Sequence, residues 1–227
     1  MNRVVYRISD TGYEKDKPSF VNNEACLSNA VKAFSDWNWN IIADNTSQET
    51  NTMIEKYIPI EDIQYVNVGN GAGTFNLGLD LALRFDYDDI IYFVENDYLH
   101  LPDSSKILLD AFELGFDYVT LYDHPDKYID GINPLVSGGS EETRLYLGKY
   151  CHYKLTNSTT MTFAARVRTL VRDEPILRKW TNGTHPHDFQ MFLNLIQEGK
   201  RLAVSIPGRS THGETAFLTP LVDWSKV

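Results

Sequence analysis

The sequence predicts an α/β fold in which a mostly parallel central sheet is flanked by helices on both faces. Three observations lead to this prediction. Short runs of β-branched and aromatic residues alternate with segments of helical periodicity through the first half of the chain. A turn rich in Asp, Asn, Gly or Ser follows each of these runs. The hydrophobic content of 42% over 227 residues is enough for one sizeable core, so we expect a single domain over residues 1–227.

Four strands and three helices are expected in the first half. The strands are predicted at residues 4–8, 39–43, 63–68 and 90–94, and the helices at 24–37, 48–57 and 74–85. The first helix has apolar residues at helical spacing between Ala25 and Trp37, and the turn over 44–47 can cap the helix that starts at Gln48. This alternating order favours parallel strands joined by helical crossovers.

The second half is less regular. We expect helices at 106–114, 174–180 and 188–198, and strands at 118–122, 159–166 and 202–206. A long loop rich in Gly, Pro and Asp is expected over 123–142, and a polar tail over 207–214. No linker divides the chain.

The turns after the first four strands are expected to meet at one edge of the sheet. In parallel sheets, ligands bind in the crevice beyond the carboxyl ends of the strands. The polar residues at this edge are Ser9 and Asp10, Asp44 and Asn45, residues 69–73, and the triplet Glu95, Asn96 and Asp97. The binding site of the protein is therefore expected at this edge.

The charge of the chain excludes one class of partner. With 31 acidic and 21 basic residues the formal net charge is −10, and no basic stripe suited to a nucleic acid is visible. A phosphate-bearing ligand would have to be bound locally, by a few basic side chains, by backbone amides or by a metal ion. The two cysteines, Cys26 and Cys151, form no CxxC pattern. Residues 1–10 are predicted to form a strand rather than a cleavable signal, and no apolar run reaches the ~20 residues that a transmembrane segment needs. We expect a cytoplasmic protein.

Glu95 and Asp97 follow the strongly apolar strand 90–94 directly. Two carboxylates at a sheet edge suit Mg²⁺ or Mn²⁺, which prefer oxygen ligands and bridge to phosphates. A cap for the next segment, 99–103, is an equally open explanation of the pair when it is taken alone.

Five short segments strengthen the metal interpretation because of their order. They are IIADNTS at 41–47, VNVGNGAG at 66–73, NLGL at 76–79, YFVEND at 92–97 and LPD at 101–103. Over roughly residues 3 to 103, their succession resembles that of GT-A fold glycosyltransferases of the family-two-like type. The sequence departs from that pattern in two places: Glu95 replaces the first Asp of the acidic element, and Phe75 precedes Asn76 where the family often has Arg.

The resemblance implies a GT-A type fold, with residues 1–103 as a Rossmann-like half that binds a nucleotide-diphospho-sugar and 104–227 as the acceptor half with a C-terminal tail. It implies Mn²⁺ or Mg²⁺ bound mainly by Asp97, with Glu95 and His212 assisting. The residues expected to contact the donor are Ser9, Asp10, Asp44, Asn45, Asn70, Gly71, Asn76, Glu95, Asn96 and Arg209, the last of these as a partner for phosphate.

Asp188 is the catalytic base that the resemblance implies, since the family places an acidic pair just before a helix and this chain has His187 and Asp188 there. A sugar hydroxyl is a poor nucleophile until a positioned group takes its proton. His187 could share or replace this role. Capping of helix 188–198 is the alternative explanation of Asp188, because Asp favours that position.

The function implied is that of a metal-dependent inverting hexosyltransferase, with a UDP-sugar favoured as donor and a carbohydrate or other hydroxyl as acceptor. A sugar nucleotidyltransferase is the alternative enzyme. It would usually carry a Gly-rich, basic loop after the first strand, where this chain has Gly12, Lys15 and Lys17. A sugar-binding protein with a degraded site is the alternative without activity. The glycines at 69–73 do not favour dinucleotide binding, because their spacing and position differ from the GxGxxG fingerprint.

Overall fold

A computed structural model of the protein, which describes residues 1–12 and 15–227, has a central sheet with helices on both faces. The strands of the described residues are β1 Asn2–Ser9, β2 Asn38–Asp44, β3 Ile63–Val66, β4 Ile90–Glu95, β5 Tyr98–His100, β6 Tyr118–Thr120, β7 Leu145–Leu147, β8 His152–Leu155, β9 Phe163–Arg166, β10 Leu202–Ile206 and β11 Ser210–His212. The helices are α1 Asn23–Ala33, α2 Gln48–Glu55, α3 Gly71–Ala82, α4 Ser104–Glu113, α5 Val167–Lys179 and α6 Asp188–Gln197. In these parts of the chain, every helix is too short or too polar to cross a lipid bilayer.

Nine of the strands form one sheet in the order β3-β2-β1-β4-β9-β6-β10-β8-β7. Strands β3, β2, β1 and β4 are parallel neighbours, as predicted. Strands β9 and β8 are antiparallel to their neighbours, so the other seven strands run in one direction. The predicted, mostly parallel α/β sheet is confirmed. The remaining strands, β5 and β11, form a separate antiparallel pair.

The two faces of the sheet carry separate apolar cores. Helices α1, α2 and α4 pack on one face, and α3, α5 and α6 on the other. Side chains alternate along β1, because successive residues of a strand point to opposite faces. Val4 and Tyr6 belong to the first core, whereas Val5 belongs to the second. Arg7 follows Val5 on the second face, where its guanidinium lies 5.7 Å from the ring centre of Phe75.

Several element boundaries differ from the predictions for identifiable reasons. Helix α3 begins at Gly71 rather than at residue 74, because Asn70 caps it by accepting a hydrogen bond from the amide of Gly73. Helix α5 begins at Val167 rather than at 174, and Pro175, which is typical of a first helical turn, lies inside it. Strands β5, β7, β8 and β11 were not predicted. They have only three or four residues each and depend on their pairing partners.

Candidate active site

The polar turns meet at the carboxyl edge of the sheet. The register of the parallel strands places Ser9 beside Asp44, Asp44 beside Val66, and Arg7 beside Glu95. The turns after β1, β2, β3 and β4 therefore share one edge, as predicted from the order of the elements.

Two acidic residues of this edge shape its turns. The Asp44 carboxylate is buried and accepts hydrogen bonds from the amides of Val68, at 2.6 Å, and Gly69, at 2.9 Å. The Asp10 carboxylate accepts from the amide of Ser47 at 2.7 Å and from the hydroxyl of Thr50 at 2.8 Å. Both carboxylates hold neighbouring strand ends together, and their expected contacts with a nucleotide remain predictions.

The asparagines at this edge also bond to the protein. The side-chain amide of Asn96 donates to Asn23 at 2.6 Å and to the carbonyl of Ser9 at 3.2 Å. Asn76 donates to the carbonyl of Thr181 at 2.7 Å, which ties α3 to the end of α5. Asn45 has a φ of 51°, a left-handed conformation that Asn tolerates better than most residues.

Asp97 lies at the centre of a group of three charged or ionisable side chains. Its Oδ2 is 2.9 Å from Nζ of Lys15 and 3.2 Å from Nε2 of His212. Nζ of Lys15 is in turn 3.0 Å from Nε2 of His212. Nζ of Lys17 lies farther from the same carboxylate oxygen, at 3.6 Å. The sequence predicted that Asp97 and His212 would be neighbours, and the structure brings them together.

Pairing of two short strands brings His212 to Asp97. In the antiparallel pair of β5 and β11, His212 lies opposite Tyr98, the residue after Asp97. Gly213 then donates a hydrogen bond of 2.6 Å to the Asp97 carbonyl. A Cβ at Gly213 would lie 2.8 Å from that carbonyl oxygen and 2.4 Å from Val21 Cγ1, so only glycine permits this close approach.

The charges of the group support one another. Burial alone would raise the pKa of the Asp97 carboxyl, but His212 and Lys15 lower that pKa well below its usual range. Burial alone would lower the pKa of Lys15, but the Asp97 carboxylate raises it above its ordinary value. Asp97 is therefore ionised and Lys15 is charged at neutral pH.

Asp97 and His212 fit a divalent cation as a pair of ligands. Their donor atoms are 3.2 Å apart and both face the same positive charge, that of Lys15. Two protein ligands are enough for a cation such as Mg²⁺, because phosphate oxygens and water complete its coordination shell. Residues 1–12 and 15–227 contain no cluster of three or more His, Cys, Asp or Glu residues that could hold a metal by themselves.

Glu95 is paired with a buried arginine. Its Oε1 lies 3.2 Å from Nη2 of Arg7 on the neighbouring strand, and Arg7 also donates to the carbonyl of Gly71 at 3.0 Å. Arg7 is only 5% exposed, and its Nε has no hydrogen-bond partner among the described residues. Sequence reasoning missed Arg7. The signal was its place in the alternating pattern of β1, on the face of Val5.

Asp188 lies at the start of α6, close enough to Glu95 to be affected by its charge. Burial and the negative charge of Glu95 raise the pKa of Asp188 to about 6, although the amide of Phe189 donates to its Oδ1 at 2.7 Å. His187 is exposed, and its ring centre lies 6.4 Å from that of Trp180. A carboxyl with a pKa near neutral is suited to accept a proton during a reaction.

Arg209 lies three residues before His212 and contacts a different acidic residue. Its Nε is 3.3 Å from Oδ1 of Asp103, at the start of α4. Its carbonyl accepts hydrogen bonds from the amide of Leu101 and the hydroxyl of Ser104, both at 2.9 Å. A phosphate would have to compete with Asp103 for this guanidinium.

Comparisons with known proteins show the fold. No protein-family model matches the chain, and no curated protein matches its sequence. The crystal structure of GalNAc-T7 with UDP, GalNAc and Mn²⁺ is similar with a TM-score of 0.59 and 12% identity, over 93% of this chain and 43% of that one. The structure of CMP:2-keto-3-deoxy-manno-octonic acid synthetase complexed with CTP is similar with a TM-score of 0.51 and 11% identity, over 95% of this chain and 94% of that one. The predicted GT-A type of α/β fold is confirmed.

Proposed function

We propose that this protein transfers a sugar from a nucleotide-diphospho-sugar to an acceptor hydroxyl. The proposal is supported by two features at the carboxyl edge of one sheet: the contact between Asp97 and His212, and the raised pKa of the Asp188 carboxyl. Asp97 and His212 could hold a cation that stabilises an anionic leaving group, and Asp188 could accept a proton. Two neighbours of the same fold support nucleotide chemistry, since they are described with UDP and with CTP.

The donor would lie across the strand ends with its diphosphate near Asp97. Mn²⁺ or Mg²⁺ held by Asp97 and His212 would stabilise negative charge on the departing nucleoside diphosphate. Because Glu95 is neutralised by Arg7, it repels the diphosphate less than a free carboxylate would. A UDP-sugar is our favoured donor.

The acceptor would lie on the side of Asp188. Its hydroxyl would transfer a proton to the Asp188 carboxylate while its oxygen forms a bond to the anomeric carbon. The bond between that carbon and the diphosphate oxygen breaks, and the nucleoside diphosphate leaves with the electron pair. A single displacement of this kind inverts the configuration at the anomeric carbon.

A sugar nucleotidyltransferase is the second candidate, and one observation favours it. Lys15 and Lys17, on the loop after β1, both reach the Asp97 carboxylate, at 2.9 and 3.6 Å. Basic residues on this loop would suit the triphosphate from which such an enzyme releases pyrophosphate.

Binding and product analysis together test these proposals. A panel of nucleotide sugars and nucleoside triphosphates, each with Mn²⁺, would be screened for an increase in the melting temperature, because a ligand stabilises the folded state by mass action. The products formed with the ligands that bind would then be identified. A glycosyltransferase yields nucleoside diphosphate from a nucleotide sugar, whereas a nucleotidyltransferase yields pyrophosphate from a triphosphate and a sugar phosphate. Formation of neither product would contradict both and favour a binding protein.

A further inference from the structure

Lys15 contacts both proposed metal ligands. Its Nζ lies 2.9 Å from Oδ2 of Asp97 and 3.0 Å from Nε2 of His212. The Nζ of Lys17 is 3.6 Å from the same Asp97 oxygen. Both lysines contribute positive charge beside Asp97, but Lys15 also contacts His212.

Backbone contacts hold Lys15 in this position. The amide of Thr215 donates to the carbonyl of Asp16 at 2.8 Å, and its hydroxyl donates to the same oxygen at 3.0 Å. Gly213 is bonded to the carbonyl of Asp97. The segment that carries Lys15 is therefore attached to the tail that carries His212, and that tail is bonded to Asp97.

We propose that Lys15 and a divalent cation compete for one position between Asp97 and His212. An ammonium and a metal ion cannot both lie within about 3 Å of the same two donor atoms, because like charges at that separation repel strongly. Lys15 thus neutralises Asp97 while no metal is bound and must leave when a metal binds. The inference rests on the proposed function only in taking Asp97 and His212 as a cation site.

The competition has a consequence for the order of binding. The displaced ammonium needs a new partner, and the diphosphate of a bound nucleotide is an anion beside this site. A nucleotide would therefore favour the metal-bound state, and by thermodynamic linkage the metal would favour nucleotide binding to the same degree. Metal affinity is expected to be weak without a nucleotide and to increase when one is present.

Mn²⁺ binding to the nucleotide-free protein tests the proposal without any turnover. Free Mn²⁺ would be followed by electron paramagnetic resonance during titration of the wild type and the variants Lys15→Met, Lys17→Met and His212→Ala. Lys15→Met removes the competing ammonium and keeps most of the unbranched side chain. We therefore expect Mn²⁺ affinity to rise by about tenfold or more, as for the loss of a charged hydrogen-bond partner. Lys17→Met removes a like charge near the same carboxylate but no donor to His212, so we expect a change of about threefold at most. His212→Ala should weaken binding.

Three results would overturn the competition: equal tightening in the two lysine variants, which would indicate a general charge effect; no tightening in Lys15→Met; and no Mn²⁺ binding by any of the proteins at millimolar concentration. Circular dichroism would establish that each variant is folded. Tighter Mn²⁺ binding by Lys15→Met in a protein that releases no nucleoside diphosphate would refute the proposed function alone. Sugar transfer by a protein in which the lysine variants behave alike would refute the competition alone.

Discussion

Replacement of Asp188 by Asn should make the protein more stable and much less active. The folded protein raises the pKa of this carboxyl from 3.8 to about 6, through burial and the charge of Glu95. Between these two pH values the folded state holds a proton that the unfolded chain has released. Stability therefore falls as the pH rises from about 4 to about 6, and the full cost of ionising Asp188 is present above pH 6. An Asn side chain has nearly the same shape and does not ionise, so it removes that cost.

The size of the effect follows from the shift in pKa. A difference of about two pKa units corresponds to about 3 kcal/mol at neutral pH. Asp188 is partly exposed, so solvent screening reduces this value, and we expect Asp188→Asn to raise the free energy of unfolding by about 1–2 kcal/mol at pH 8. For a chain of this length, this corresponds to an increase of about 2–8 °C in melting temperature. The gain should disappear at pH 4, where the wild-type carboxyl is protonated in the folded state.

Activity should change in the opposite direction. Loss of a general base typically lowers the rate by about 10²–10⁴-fold, and the wild-type rate should fall with decreasing pH below about 6, in line with the pKa of Asp188. Thermal unfolding at pH 8 and pH 4, together with nucleoside diphosphate release, measures both effects. Glu24→Gln is a matched control, because Glu24 is an exposed carboxylate in the first turn of α1. A variant Asp188→Asn that is less stable at pH 8 and keeps wild-type activity would refute the assignment.

Two further substitutions test an ion pair near the candidate site and a second ion pair in the segment after β6. Arg7→Met leaves Glu95 without its partner, so we expect the free energy of unfolding, measured with urea, to fall by about 2 kcal/mol. The double variant with Glu95→Gln should regain part of this stability. An unchanged free energy of unfolding in Arg7→Met would contradict the pairing. Burial alone would raise the pKa of Asp126, but contacts with His124 and Lys127 lower it to about 2. Because the pKa of Asp126 is lower in the folded state than in the unfolded state, Asp126→Asn should lower the free energy of unfolding by about 2 kcal/mol at pH 7. This difference from the wild type should vanish as the pH falls from about 4 to about 2. A stability difference that is independent of pH would contradict the ion pair.

The order of elements was predictable because each buried strand has a clear sequence signal. The run over residues 90–94 is uniformly apolar because both faces of β4 are covered by helices, and this placed Asp97 at the sheet edge. The position of Asp188 at the start of a helix was predictable from the helical periodicity of the residues that follow it. These signals lie within about 10–15 residues, the range over which a single helix or strand repeats its pattern.

Local patterns did not predict the partners of Asp97, because these contacts join distant segments. His212 was expected beside Asp97 only through the family resemblance. His212 reaches Asp97 through β5 and β11, which have three residues each and pair across more than a hundred positions. Lys15 comes from a loop without periodicity. In the sequence, Arg7 looks like a solvent-exposed residue of a strand. Its burial can be explained only when the strand register is known, because the register places Glu95 beside it as an ion-pair partner.

Release of nucleoside diphosphate by Asp97→Ala tests the central claim most directly. Purified wild type and variant would be incubated with a nucleotide sugar that stabilises the wild type, with and without Mn²⁺. Asp36→Ala, which removes an exposed carboxylate before β2, is the control. We predict that the wild type and Asp36→Ala release nucleoside diphosphate when Mn²⁺ is present and that Asp97→Ala loses this activity. Release by Asp97→Ala at the wild-type rate would contradict the claim that Asp97 lies at the centre of the active site.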